Sequence, residues 1–290
     1  MNRRGFVFGL MGMTAVAQES GLAGPVLGYS LDAEHHVRPL IGPAGSAYLA
    51  QPLSGEVALR DWTGSYGLDA EGQLFYGLGT QELRRVETEG GWGMVVGSPR
   101  PSVAVVQRDS RIAVARDGAA GAVLDLGMTP MALAVAGDGA LIAAADADRC
   151  GLWRPEGEQL LQTSIAGVRA LQVLPDNAGL CGLAERFFLI DQMGRREEFA
   201  DARGSALGLT ADGSTVVVLD GESMKVRVFD RLTREWAEEP IPFAAGRITP
   251  LRDGRTFLIS SEAGESVWTL ALRGTAMQWA QIPLVRGGRN

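Results

Sequence analysis

The chain has 290 residues, 46% hydrophobic and 21% charged, which is enough apolar content for a large core and excludes a disordered polymer. Its formal net charge of −7 and pI near 5.0 argue against nucleic acid or an anionic membrane as the main partner. Glycine occurs 39 times and proline 13 times, a balance that favours many tight turns over long helices.

The first segment, "MNRRGFVFGLMGMTAVAQES", runs from Arg3 and Arg4 through an apolar stretch to Ala15-Val16-Ala17 before Gln18. That is the basic, apolar, small-x-small order of a secretory signal peptide, so residues 1–17 are expected to be removed on export. The apolar stretch is shorter than the ~20 residues of a membrane span, and no later stretch comes closer without a charge. Arg3-Arg4-Gly5-Phe6-Val7 also resembles a twin-arginine export signal, although Asn2 stands where Ser or Thr is usual. The general secretory route is preferred. Cleavage would remove two arginines and take the net charge from −7 to −9.

Residues 18–290 read as one domain of repeated short strands. "VLGYSLDAEHHVRPLIG" (26–42) predicts a hairpin resembling the outer two strands of a four-stranded unit. Next, 57–62, 66–69, 74–78 and 83–87 form one unit, and 92–98, 103–107, 111–115 and 122–126 another. The pattern then sharpens. "ALAVAGD" (132–138), "ALQVLPD" (170–176) and "ALGLTAD" (206–212) share one register, which "RITPLRD" (247–253) keeps in part. Each is followed by a second apolar strand, a charged loop, a third strand and a more polar fourth. The marker residues Asp138, Asp176, Asp212 and Asp253 are 38, 36 and 41 residues apart.

Six units of about forty residues, each of four short strands, predict an all-β propeller closed by the N-terminal hairpin. The alternative is that the hairpin is an incomplete seventh blade. Residues 205–230 resemble the YVTN-type repeat of bacterial propellers through Asp212, Gly213, Val217, Val218, Val226, Val228 and Asp230. The resemblance implies the fold and leaves activity open, since propellers carry many functions. Neither a Gly-His nor a Trp-Asp pair closes any unit, so the WD40 signature is missing.

Chemistry is sparse. There is no GxSxG, no HExxH and no phosphate-binding glycine loop. The two histidines, His35 and His36, are adjacent and read as solvated turn residues. Cys150 and Cys181 read as free buried thiols, with a disulfide between neighbouring blades as the alternative. "DADR" (146–149) opens like a calcium loop, but Cys150 takes the third ligand position and no distal Glu follows. No cofactor is expected. The six tryptophans do not share one position in the repeat, which fits packing and speaks against a bound quinone.

The turns between second and third strands should lie together on one rim of the ring. They supply Asp69 and Glu71, Arg108 and Asp109, Asp146, Asp148 and Arg149, Glu185 and Arg186, Asp220 and Glu222, and Glu262 with Glu265. Carboxylates on every unit with an arginine arc would suit a polar ligand or a cation. The competing reading is that these residues only solvate and cap turns.

Three functions follow. The preferred one is an exported, non-catalytic, monomeric propeller that binds a protein, glycan or small polar ligand on this rim. The alternative is a propeller hydrolase or lyase, lactonase-like or glycan-cleaving, working with rim carboxylates; the shortage of histidine weighs against it. The third is a structural component of the cell envelope.

Overall fold

The computed structural model describes residues 26–31, 36–43, 46–52, 57–78, 83–97, 103–136, 139–175, 179–199, 203–251, 253–261 and 267–282. The leader at 1–17, His35, Asp138, Asp176, Glu262 and Glu265 fall outside them.

Alternation of apolar residues produces strands throughout, because successive side chains in an extended chain point to opposite faces. The 27 described strands form seven antiparallel sheets in chain order. Blade 1 has three strands, β1 (Val26–Leu31), β2 (Val37–Ile41) and β3 (Tyr48–Leu49). Each later blade has four. Blade 2 holds β4 (Leu59–Thr63), β5 (Tyr66–Asp69), β6 (Leu74–Tyr76) and β7 (Arg84–Arg85). Blade 3 holds β8 (Met94–Gly97), β9 (Val103–Arg108), β10 (Arg111–Arg116) and β11 (Ala119–Asp125). Blade 4 follows with β12 (Ala132–Val135), β13 (Ile142–Ala145), β14 (Arg149–Trp153) and β15 (Gln159–Ser164). Blade 5 is β16 (Ala170–Val173), β17 (Leu180–Leu183), β18 (Phe187–Ile190) and β19 (Arg196–Phe199). Blade 6 is β20 (Ala206–Leu209), β21 (Thr215–Asp220), β22 (Lys225–Asp230) and β23 (Trp236–Pro240). Blade 7 ends the series with β24 (Ala245–Pro250), β25 (Thr256–Ser261), β26 (Val267–Arg273) and β27 (Ala276–Gln281).

The N-terminal hairpin is therefore a seventh blade, and the count is seven rather than six. A third short strand, β3, makes the difference by pairing Leu49 with Leu40 and Tyr48 with Ile41. It also places β2 in the middle of its sheet, with Val37 and Leu40 fully buried. The exposed outer strand expected at that position is not what the burial shows.

Each blade has two apolar faces, and each face meets a neighbour. On β21, Val216 and Val218 join the core shared with blade 5, while Val217 and Leu219 join the one shared with blade 7. Repeating this gives seven separate cores, one per pair of neighbours, so the ring is closed. Cys150 lies in the core between blades 4 and 5, and Cys181 in the core between blades 5 and 6. The blade 5 sheet stands between them. Both thiols are free and buried.

First strands β4, β8, β12, β16, β20 and β24 pack side by side as an inner row. β1 makes no comparable approach to β24 or β4. Across blade 1, Arg247 of β24 reaches β4 directly. Its guanidinium donates to Asp61 Oδ1 at 2.9 Å and to the Trp62 carbonyl at 3.1 Å. It also lies 3.7 Å from the centroid of the Trp62 ring. Among the described residues, no helix is long and apolar enough to cross a membrane.

Candidate functional site

Strands alternate in direction within a blade, so the turns between second and third strands share one rim with the connectors between blades. Hydrogen bonds hold the two together. Gly93 N–H donates to Gln107 O, Ile165 N–H to Asp148 O, Arg169 N–H to Leu183 O and Ile241 N–H to Met224 O. The turns predicted from sequence do gather on one rim, and Asp69, Arg108, Asp146, Arg149 and Asp220 are anchored locally there.

Asp146 Oδ1 accepts from the backbone N–H groups of Asp148 and Arg149, and its Oδ2 accepts from the Arg149 guanidinium at 2.8 Å. Burial pushes the Asp146 carboxyl up, but the Asp148 N–H and the Arg149 contacts outweigh it and hold it below the usual range. Asp69 caps its own turn through the N–H groups of Glu71 and Gln73. Asp220 accepts from Ser223 N–H. Its burial is likewise outweighed, by Ser223 and Arg227, so it too is held low. Asp109 sits at φ 55°, in the left-handed region, at the tip of the β9–β10 turn. Asp148, Glu185, Arg186 and Glu222 are exposed. Arg108 and Arg149 are tied to different partners, Arg108 to Glu89 at 2.5 Å and Arg149 within its own turn.

One sector of the rim is hollow. β7, the outer strand of blade 2, is only two residues long. A cleft of about 710 Å³ opens there. Arg85, Glu87, Thr88, Glu89 and Trp92 form its polar wall, on the segment that joins blade 2 to blade 3. Ala113, Ala120 and Val123 form the opposite, apolar wall on β10 and β11. A second hollow of about 380 Å³ is lined by Asp69, Glu71, Gln73 and Phe75, and Arg85 is among the lining residues of both.

The connector is fixed at several points. Trp92 N–H donates to Gly72 O at 3.0 Å, and Arg60 donates to Trp92 O at 2.6 Å. Gly72 has φ +76°, and a Cβ there would stand 2.4 Å from Trp92 N, so only glycine allows this approach. Buried Gln73 donates through its side chain to Val86 O. Glu89 is held by Arg108 and Arg111, while Arg108 donates to Gly90 O and stands 5.6 Å over the Trp92 ring.

Trp92 itself is 1% exposed, and its indole Nε1 has no hydrogen-bond partner among the described residues. An unpaired buried N–H costs about 1–3 kcal/mol. Arg85, Glu71 and Glu87 face the hollows without an ion pair among the described residues. The predicted rim includes Asp69, Glu71 and Arg108, whereas 83–87, predicted as a full outer strand, is strand only at Arg84–Arg85. The available signal was "RRVETEGGWG" (84–93), where charges on both sides of Thr88 run into Gly-Gly-Trp-Gly and no strand can continue. Among the described residues, no group of three His, Cys, Asp or Glu side chains is placed to hold a metal ion.

A closed ring of seven antiparallel blades with its turns and connectors gathered on one rim defines a seven-bladed β-propeller. The chain is similar in fold to the β-propeller domain of Myceliophteria thermophila Cps50 (Swd1), with a TM-score of 0.57 and 13% identity over 67% of this chain and 72% of that one. It is also similar to Kuenenia stuttgartiensis hydrazine synthase, with a TM-score of 0.51 and 16% identity over 66% of this chain and 65% of that one. At these identities the likeness is one of fold alone. No protein-family model matches the chain, and no curated protein matches it in sequence.

Proposed function

We propose that this chain is an exported, non-catalytic β-propeller with YVTN-like repeats that binds a small polar ligand on the rim. The supporting observation is the cleft between blades 2 and 3, whose lining combines apolar residues with Arg85 and Glu87, neither of which makes an ion pair among the described residues. Residues built only to cap turns spend their oxygens on backbone N–H groups, as Asp146 and Asp69 do. Glu71, Glu87 and Arg85 are not spent in this way. The enzyme reading gains less, because Asp146 and Asp220 already accept from groups of their own turns.

The test is calorimetric titration of the full chain with dialanine, D-glucuronate and D-glucose. The proposal expects at least one to bind, and expects the Arg85→Ala and Glu87→Gln variants to lose that binding with little change in melting temperature. Binding that survives both variants, or no binding by any probe, overturns it. Export predicts a mature N-terminus at Gln18 in the cell-envelope fraction, and recovery of the intact chain from cytosol would sink that part.

A further inference from the structure

We infer that the outer edge of blade 7, strand Ala276–Gln281, pairs antiparallel with the same strand of a second copy of this chain. The inference goes beyond the ligand reading above and departs from the monomer expected from the sequence. The outermost strand of a blade is paired on one side only, so its other side presents backbone N–H and C=O groups to any extended chain. Proteins block such edges with shortness, charge, proline or a bulge, and five of the six four-stranded blades show at least one of these. β7 is two residues long, and both are arginine. β11 and β15 each have a register shift against the strand they pair with. β19 holds Arg196, Glu197 and Glu198, and β23 holds Glu238, Glu239 and Pro240. β27 has none of these devices. Its six residues, AMQWAQ, contain no charge, proline or glycine and pair one for one with β26 without a shift.

The occupant follows from the strand's own sequence and from charge. In a two-fold antiparallel pairing centred on Gln278, Met277 of one copy stands opposite Trp279 of the other. Ala276 then stands opposite Ala280, and Gln278 opposite itself. A thioether beside an indole and two facing amides are favourable cross-strand neighbours. Trp279 is already held in place, since its indole N–H donates to Glu239 Oε2 at 2.9 Å. Each copy carries a formal charge of −7, which opposes association wherever acids face acids. β27 has no charge, and β26 behind it has none before Arg273 at its end, so this seam is neutral. A contact of a patch with itself about a two-fold axis closes at two copies.

The experiment is sedimentation of the full chain over a range of concentrations at low and high salt, with hydrogen exchange to give location. The mass should rise from the 30.7 kDa of one chain toward twice that value. Association should tighten in high salt, because salt screens the repulsion between two acidic copies. Backbone exchange at 276–281 should slow as concentration rises. Gln278→Lys, at an exposed position, sets two lysines opposite each other and should weaken association roughly tenfold or more. The melting temperature of the dilute chain should not change. Gln162→Lys, at an exposed position on the bulged edge of blade 4, should leave association intact. A chain that stays at 30.7 kDa throughout, or a dimer that survives Gln278→Lys, overturns the inference. So does protection of 276–281 that is independent of concentration, because the edge is then covered from within one chain. If Gln278→Lys fails to fold, the concentration dependence of exchange in the unaltered chain decides alone.

Discussion

Replacing Arg247 by Ala removes the contact that joins blade 7 to blade 2 across the three-stranded blade. The magnitude can be built from its parts. A cation over an aromatic ring at a partly exposed site contributes about 0.5–1 kcal/mol. The ion pair with Asp61 has side chains 38% and 28% exposed. It therefore belongs with screened surface pairs, at about 0.2–1 kcal/mol. The bond to the Trp62 carbonyl adds about 1 kcal/mol. Arg247→Ala should thus cost about 2 kcal/mol, a fall of about 3 °C at this chain length. A double-mutant cycle with Asp61→Asn, read by urea denaturation, should show a coupling of about 0.5 kcal/mol that shrinks in high salt. A loss under about 0.3 kcal/mol with no coupling would show that the apolar cores of blade 1 close the ring unaided.

Two further outcomes follow from buried and capped groups. Burial pushes the Cys150 and Cys181 thiols up to about 11 and about 12 from 9.0. At pH 8 the thiolate is then about 100-fold and about 1,000-fold scarcer than for an ordinary thiol. Native protein should resist a thiol reagent, and denatured, unreduced protein should show two reactive groups; rapid native labelling would contradict the burial. Asp212 accepts from the Ser214 N–H and the Thr210 hydroxyl, which lower its carboxyl to about 2 from 3.8. A depressed carboxyl stabilises the fold above its unfolded pKa, and that stabilisation is lost as pH falls from about 4 to about 2. Asp212→Asn should flatten that part of the acid limb, and an unchanged limb would show that the cap adds nothing.

The strands, the grouping by four from the second blade onward and the rim are legible in the chain alone. These are local properties: alternation sets which residues pair, and Gly and Asp set where the chain turns. The strand Phe187–Ile190 falls where the apolar run "FFLI" predicts it, and Arg149–Trp153 and Lys225–Asp230 lie within one residue of theirs. The free thiols were legible too, since neither cysteine sits in a ligand pattern. The rest depends on long-range packing. Whether the hairpin was a closure or a blade depended on Leu49 finding Leu40, a pairing that two residues of sequence cannot announce. That Cys150 and Cys181 lie on opposite sides of blade 5 depended on which face each strand turned to which neighbour. Above all, the cleft takes its lining from two blades, with Arg85 and Glu87 from the end of blade 2 and Ala120 and Val123 from blade 3. A hollow belongs to two elements at once, and local pattern describes only one at a time.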